Sequence, residues 1–178
     1  SDHSPSFIGY QVVFSTNRNY PANTSAMLGL FGATNVDLYA SDQQNNKLFN
    51  AKAYPITPAP EFRNETVVQS SNGKVRVVVR RGFNVSKKEE RNGFKGNPGL
   101  FISFKDAGGK WINETAFPFN NHDYSCFQPA LSPSGTRLFF SSDMPGSKGL
   151  MDVWYSDRKA DGSWTTPTNL GFGINTVG

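Results

Sequence analysis

Three copies of one pattern run through the chain, and a tandem repeat of this period restricts the fold to architectures that stack like units side by side. The clearest copy has a Pro-Ser-Gly turn within 128–135, an apolar run at 137–143, a second at 151–156, and Asp161-Gly162-Ser163-Trp164. The first copy offers 4–7, 11–18, 36–41 and 47–49; the middle one offers 66–73, 75–81, 99–103 and 109–111. Two anchors move together: Asp37 to Gly99 and Phe49 to Trp111 are both 62 residues, and Gly99 to Asp152 and Trp111 to Trp164 are both 53. Each piece carries β-branched and aromatic residues bounded by Gly, Pro, Asn and Ser, the chemistry of short strands between turns. Four such strands per unit is the sequence form of a β-propeller blade. The expected fold is therefore all-β, with three blades of four antiparallel strands at about 1–60, 61–124 and 125–178, all within a single partial-propeller domain, 1–178.

The one helical competitor, 86–91, has helix-forming residues but no apolar stripe and runs into Asn92-Gly93, so it reads as a polar loop. The longest insertions fall at 19–34 and 82–98. Asp37 and Asp152 hold the same place in their copies, where a carboxylate accepts backbone N–H groups in the turn before a strand. Trp111 and Trp164 are expected to cover the outer hairpin of their blades with apolar area.

With 178 residues, 37% of them hydrophobic, the chain can bury a core without covalent staples. Cys126 is the single cysteine, so no intrachain disulfide forms and no four-cysteine zinc site can be built. The longest apolar runs, Val77-Val78-Val79 and Leu138-Phe139-Phe140, fall far short of a membrane-spanning helix. Residues 1–5 have neither a basic leader nor an apolar signal core, so an export signal is expected upstream or already removed. The net charge of +4 is unevenly spread: Lys74, Arg76, Arg80, Arg81, Lys87, Lys88, Arg91 and Lys95 stand against only Glu89 and Glu90. A local basic patch of this kind attracts an anionic partner, such as an acidic protein face or an anionic glycan.

Catalytic patterns are scarce. No Gly-x-Ser-x-Gly elbow occurs, and His3 and His122 are the only histidine bases. His122, Asp123 and Cys126 lie close together, but their spacing is not a zinc signature, and Cys126 is expected to be a buried structural thiol. Asp37, Asp143 and Asp152 are candidates for the carboxylates of an axial glycosidase site, although the repetition of Asp37 and Asp152 favours a structural role. The loop 161–164 is too short for a sialidase Asp-box, and no phosphate-cradling loop is present. Phe83 and Phe94 flank the basic stretch but anchor an insertion as readily as they would stack bases, so no nucleic-acid partner is expected. No metal and no cofactor are expected.

At Asn120-Asn121-His122-Asp123-Tyr124-Ser125, and again through Pro129-Ala130-Leu131-Ser132-Pro133-Ser134-Gly135-Thr136-Arg137-Leu138-Phe139-Phe140-Ser141-Ser142-Asp143-Met144-Pro145-Gly146, the chain resembles the TolB-like, WD-repeat-like propellers of envelope proteins in the OmpA family. Trp164 and Asn169-Leu170-Gly171-Phe172-Gly173-Ile174-Asn175-Thr176 continue the likeness, which is strongest over 117–178; Ser134 stands where the family usually has Asp. The resemblance implies a periplasmic protein associated with the outer membrane, in an arrangement like the PorE-like component of the type IX secretion apparatus, with envelope proteins as partners. It also implies a six-bladed ring, of which three blades are half. An open half-ring is expected to show an apolar blade face at each end, and so to self-associate or to pair with the missing half.

The expected function is a non-enzymatic interaction scaffold whose non-repeating loop residues bind the partner: Arg81, Lys87, Lys88, Arg91, Asp143 and Lys148. The alternative is a glycan-binding or glycan-hydrolysing propeller.

Overall fold

A computed structural model describes residues 2–16, 37–45, 47–54, 63–81, 86 and 96–177. They form three four-stranded antiparallel sheets, each a simple meander. The first blade holds β1 (Asp2–Ile8), β2 (Gln11–Thr16), β3 (Asp37–Gln44) and β4 (Lys47–Ala53); the second holds β5 (Arg63–Gln69), β6 (Val75–Arg81), β7 (Pro98–Lys105) and β8 (Trp111–Ala116). The third holds β9 (Cys126–Leu131), β10 (Arg137–Ser142), β11 (Asp152–Asp157) and β12 (Thr168–Asn169). The first strands of successive blades, β1, β5 and β9, are neighbours and form the inner edge. No helix occurs among the described residues. Each blade has a lower edge, where the short β1–β2, β5–β6 and β9–β10 turns lie, and an upper edge carrying the longer connections.

The repeat is visible in the backbone. The N–H of Tyr54 bonds the carbonyl of Leu38 at 2.8 Å, that of Phe117 bonds Leu100 at 2.8 Å, and that of Leu170 bonds Val153 at 3.1 Å. In each blade the chain leaving the outer strand is thus tied back to the second residue, or the third in β7, of the third strand.

Burial follows the position of each blade. In the middle blade β6 is covered on both sides: Val75, Val77 and Val79 pack against the third blade, Val78 against the first. That is why its sequence reads as a continuous apolar run interrupted only by arginines. The core between the second and third blades adds Leu100, Ile102, Phe117, Cys126, Leu138, Phe140, Met144, Trp154 and Trp164; that between the first and second is smaller, with Val13, Leu38, Ala40, Val67 and Val78. Each such aliphatic side chain contributes about 1.5–3 kcal/mol on burial. In the third blade Leu138, Phe140 and Ser142 are buried while Arg137, Phe139 and Ser141 are only partly covered, so β10 alternates. Ring contact between Phe139 and Tyr155 at 6.2 Å and the bidentate Arg137–Asp157 pair lie on that outward face.

One expectation holds in part and one is corrected here. The leading face of the first blade is covered only in part: Phe14 and Tyr39, cross-strand partners stacked at 6.5 Å, are buried, whereas Phe7 opposite Val12 and Leu48 opposite Gln43 are exposed on the same face. The outer strand of the third blade is not 161–164. Asp161 instead accepts the Ser163 N–H at 2.9 Å in a turn that Gly162 enters at φ +87°, and the strand is the short Thr168–Asn169 pairing with β11. Trp164 contributes a single bridge to Arg158 and packs edge-on against Phe117 at 6.0 Å.

Candidate functional site

The upper edge of the third blade is built by two segments whose polar groups turn inward. In the loop between β10 and β11, the Ser142 hydroxyl accepts the Met144 N–H at 3.1 Å, and Ser147 Oγ donates to the Met144 carbonyl at 2.9 Å. Asp152, buried at the start of β11, accepts the N–H groups of Lys148 at 2.6 Å and Gly149 at 3.3 Å. In the segment after β12, Asn169 donates to Asp152 at 2.6 Å and accepts from Gly171 N–H at 2.7 Å and from Asn175 at 2.8 Å. Asn175 then holds both backbone groups of Val153, accepting its N–H at 2.8 Å and donating to its carbonyl at 3.0 Å. Burial pushes the Asp152 carboxyl upward, but the donors from Lys148, Asn169 and Gly149 outweigh it and hold the group below the usual carboxylate range.

This network fixes the backbone and leaves apolar side chains on the outside. Leu150 is 82% exposed and Phe172 73%, with Ile174, Val177 and Met151 also exposed. Lys148 Nζ lies 5.4 Å from the centre of the Phe172 ring. One blade earlier the same construction is covered. Asn120 clamps Leu100 by the same pair of bonds, at 2.9 and 2.8 Å, and the intervening Phe119 packs against the core between the second and third blades. Phe172 and Ile174 occupy the corresponding stretch and meet no such neighbour among the described residues.

No protein-family model matches the chain, and no curated protein matches it. Among solved structures it is similar to the Niastella koreensis GH74 enzyme at 13% identity and TM-score 0.43, covering 90% of this chain and 20% of that one. It is also similar to a puromycin-hydrolyzing peptidase of Mycobacterium tuberculosis at 13% identity and TM-score 0.34, covering 95% and 38%. The chain thus spans about a fifth and about two fifths of the lengths of these proteins.

The residues singled out in the sequence scatter around this edge. Lys148 lies within it. Asp143 borders it, and its carboxylate accepts the Ser125 N–H at 2.7 Å, tying the β10–β11 loop to the linker between blades. Arg81 lies at the upper end of β6, donating to the Gly96 carbonyl at 3.3 Å. Lys87, Lys88 and Arg91 lie outside the described residues. Asp37 opens β3 opposite Thr16, as Asp152 opens β11 opposite Ser142, but the side chain of Asp37 lies outside what the structure describes. Trp111 is half-buried beneath two cations on the lower part of the second blade, and Trp164 is buried between blades.

His122 is exposed, 3.8 Å from the Asp123 carboxylate. Cys126 is fully buried, with Sγ 3.8 Å from the Phe119 carbonyl; burial pushes its thiol up to about 12. Among the described residues no three His, Cys, Asp or Glu side chains gather into a metal-binding set, and no helix is long and apolar enough to cross a membrane. The exposed apolar side chains of Leu150, Met151, Phe172 and Ile174 along this edge were missed by reasoning that looked for charge. Its signal is present as apolar residues placed among glycines, where a solvated turn has no need of them.

Proposed function

We propose that the chain is a non-enzymatic interaction scaffold of the bacterial cell envelope, the β-propeller portion of an OmpA-family protein associated with type IX secretion. The observation that carries the scaffold reading is the apolar upper edge of the third blade, held on a rigid hydrogen-bonded base. Exposed apolar clusters of this kind rimmed by polar residues are characteristic of protein-docking surfaces. Phe119, at the corresponding place in the second blade, packs into the core shared with the third, so an apolar surface on a partner is the chemistry this edge accepts. The envelope placement rests on the sequence resemblance over 117–178.

The glycan reading needs free axial carboxylates, and Asp152 is not free: its oxygens are taken by Lys148, Gly149 and Asn169. It therefore loses one of its three candidates. The test is capture of envelope proteins by the parent protein, comparing wild type with Leu150→Ser/Phe172→Ser and with charge reversal at Lys87, Lys88 and Arg91. Stoichiometric partners lost in the first variant support the apolar edge, and loss in the second supports the basic loop. Partners retained by both overturn the scaffold surfaces proposed here.

A further inference from the structure

Arg76 breaks the repeat. It lies on the side of β6 that faces the first blade, at the position where the third blade has the buried Leu138, and Arg80 stands where the third blade has Ser142. Both arginines are as buried as the residues they replace; Arg76 is 3% exposed. Arg80 is paired with the carboxylate of Glu114, which also receives the Ser103 hydroxyl at 3.5 Å. Among the described residues Arg76 has no such acid. Its guanidinium lies over the Trp111 ring at 4.5 Å, and its buried Nε finds no acceptor among the described residues.

A buried guanidinium without a counter-ion is strongly unfavourable, and such a group calls for an explanation such as a bound ion. Stacking on an aromatic face leaves the in-plane N–H donors available for a planar or tetrahedral oxyanion. The surroundings supply more positive charge. Lys105 Nζ lies 4.9 Å from the centre of the same Trp111 ring, and Lys74 is its backbone neighbour, its carbonyl accepting the Lys105 N–H at 2.9 Å. These two lysines line an open hollow of about 440 Å³ on the lower edge of the second blade, with Asn72, Asp106, Ala107 and Gly109 completing its wall. Asp106 puts one carboxylate on the wall, its Oδ1 accepting the Lys110 N–H at 2.9 Å, against the two lysines. The hollow has the size of a small-ligand site.

We propose that this lower edge binds an oxyanion, a carboxylate or phosphate group, which enters past Lys74 and Lys105 and is held by the guanidinium of Arg76 beside Trp111. The group supplies the counter-charge that Glu114 supplies to Arg80.

The test is a titration of the full chain with inorganic phosphate and, separately, with citrate, following the Arg76 Nε–H and Trp111 indole resonances by NMR together with the unfolding temperature. The expected result is saturable movement of both resonances and a rise in unfolding temperature, with whichever anion saturates first naming the class. Lys74→Gln/Lys105→Gln weakens binding by about tenfold or more. Arg76→Met, with an apolar side chain as at Leu138, abolishes the anion-dependent rise while unfolding no earlier than wild type in anion-free buffer. Resonances that do not move, that move without saturating, or that move equally in the lysine variant overturn the proposal. So does an Arg76→Met protein that is less stable than wild type without anion, because the arginine would then be a structural group.

Discussion

The side-chain amide of Asn175 satisfies both backbone polar groups of Val153, at 2.8 and 3.0 Å, and so fastens the segment after β12 to the head of β11. Asn175 is itself buried. Asn175→Ala leaves an N–H and a carbonyl near the surface of the core without partners, a loss of about 1–3 kcal/mol. Asn175→Asp loses both donated bonds, to the Val153 carbonyl and to Asn169, and places a second carboxylate near Asp152, so chemical denaturation is expected to rank wild type above both variants. Asn120→Ala does the same at Leu100 and is expected to cost a similar amount.

Gly135 of the third blade lies tight against Val75 and Ser70 of the second. A Cβ there would lie 2.5 Å from Val75 Cγ2, at a backbone φ of +74°. Gly135→Ala is expected to destabilise by roughly 2 kcal/mol or more, from overpacking and from the left-handed backbone together. Val75→Ala in the same chain removes the 2.5 Å contact but leaves the Val75 Cβ at 2.9 Å and the backbone strain, so a double-mutant cycle should return a favourable but partial coupling between the two sites.

Cys126 provides a probe of the same interface. With its thiol pushed up to about 12 by burial and enclosed between blades, it is expected to resist alkylation at pH 8 in the folded protein and to react fully in denaturant. Rapid labelling under native conditions would show that the second and third blades separate.

Acid should loosen the third blade. Hydrogen bonds from Arg137 hold the Asp157 carboxyl below its ordinary value, and Asp152 is held down by its backbone and Asn169 donors. Carboxylates with depressed folded values contribute stability that is full above their unfolded value, about 3.9, and lost as pH falls through the folded one. The unfolding temperature is therefore expected to be flat from neutral pH to about 5 and to drop below about 4. Asp152→Asn lowers the plateau and makes the acid limb shallower.

The blade grammar was legible because it depends on local chemistry. Paired anchors such as Asp37 with Asp152 mark where each third strand begins, and turns such as that at Gly135 mark where each second strand begins. Local chemistry was misleading at Trp164, where an aromatic after an Asp-Gly turn reads as an outer strand but is spent on packing against Phe117 across the blade interface. The burial of Phe14 and Tyr39 is likewise tertiary. Of the site, Lys148 and Asp143 were found from their place in a non-repeating loop. The Asn120 and Asn175 clamps were present as an asparagine 20 or 22 residues after the head of the third strand, a spacing that has meaning only once the outer strand is known to return there. Arg76 read as one charge in a basic stretch, since only the alignment of β6 with β10 shows that it replaces a core leucine.

Light scattering of this chain is the most direct test of whether the third blade presents an unfilled docking surface. The predicted result is concentration-dependent association beyond the monomer mass, abolished in Leu150→Ser/Phe172→Ser while the circular dichroism of both proteins stays the same. A monodisperse, fully folded monomer across the whole concentration range, unchanged by those substitutions, would contradict it.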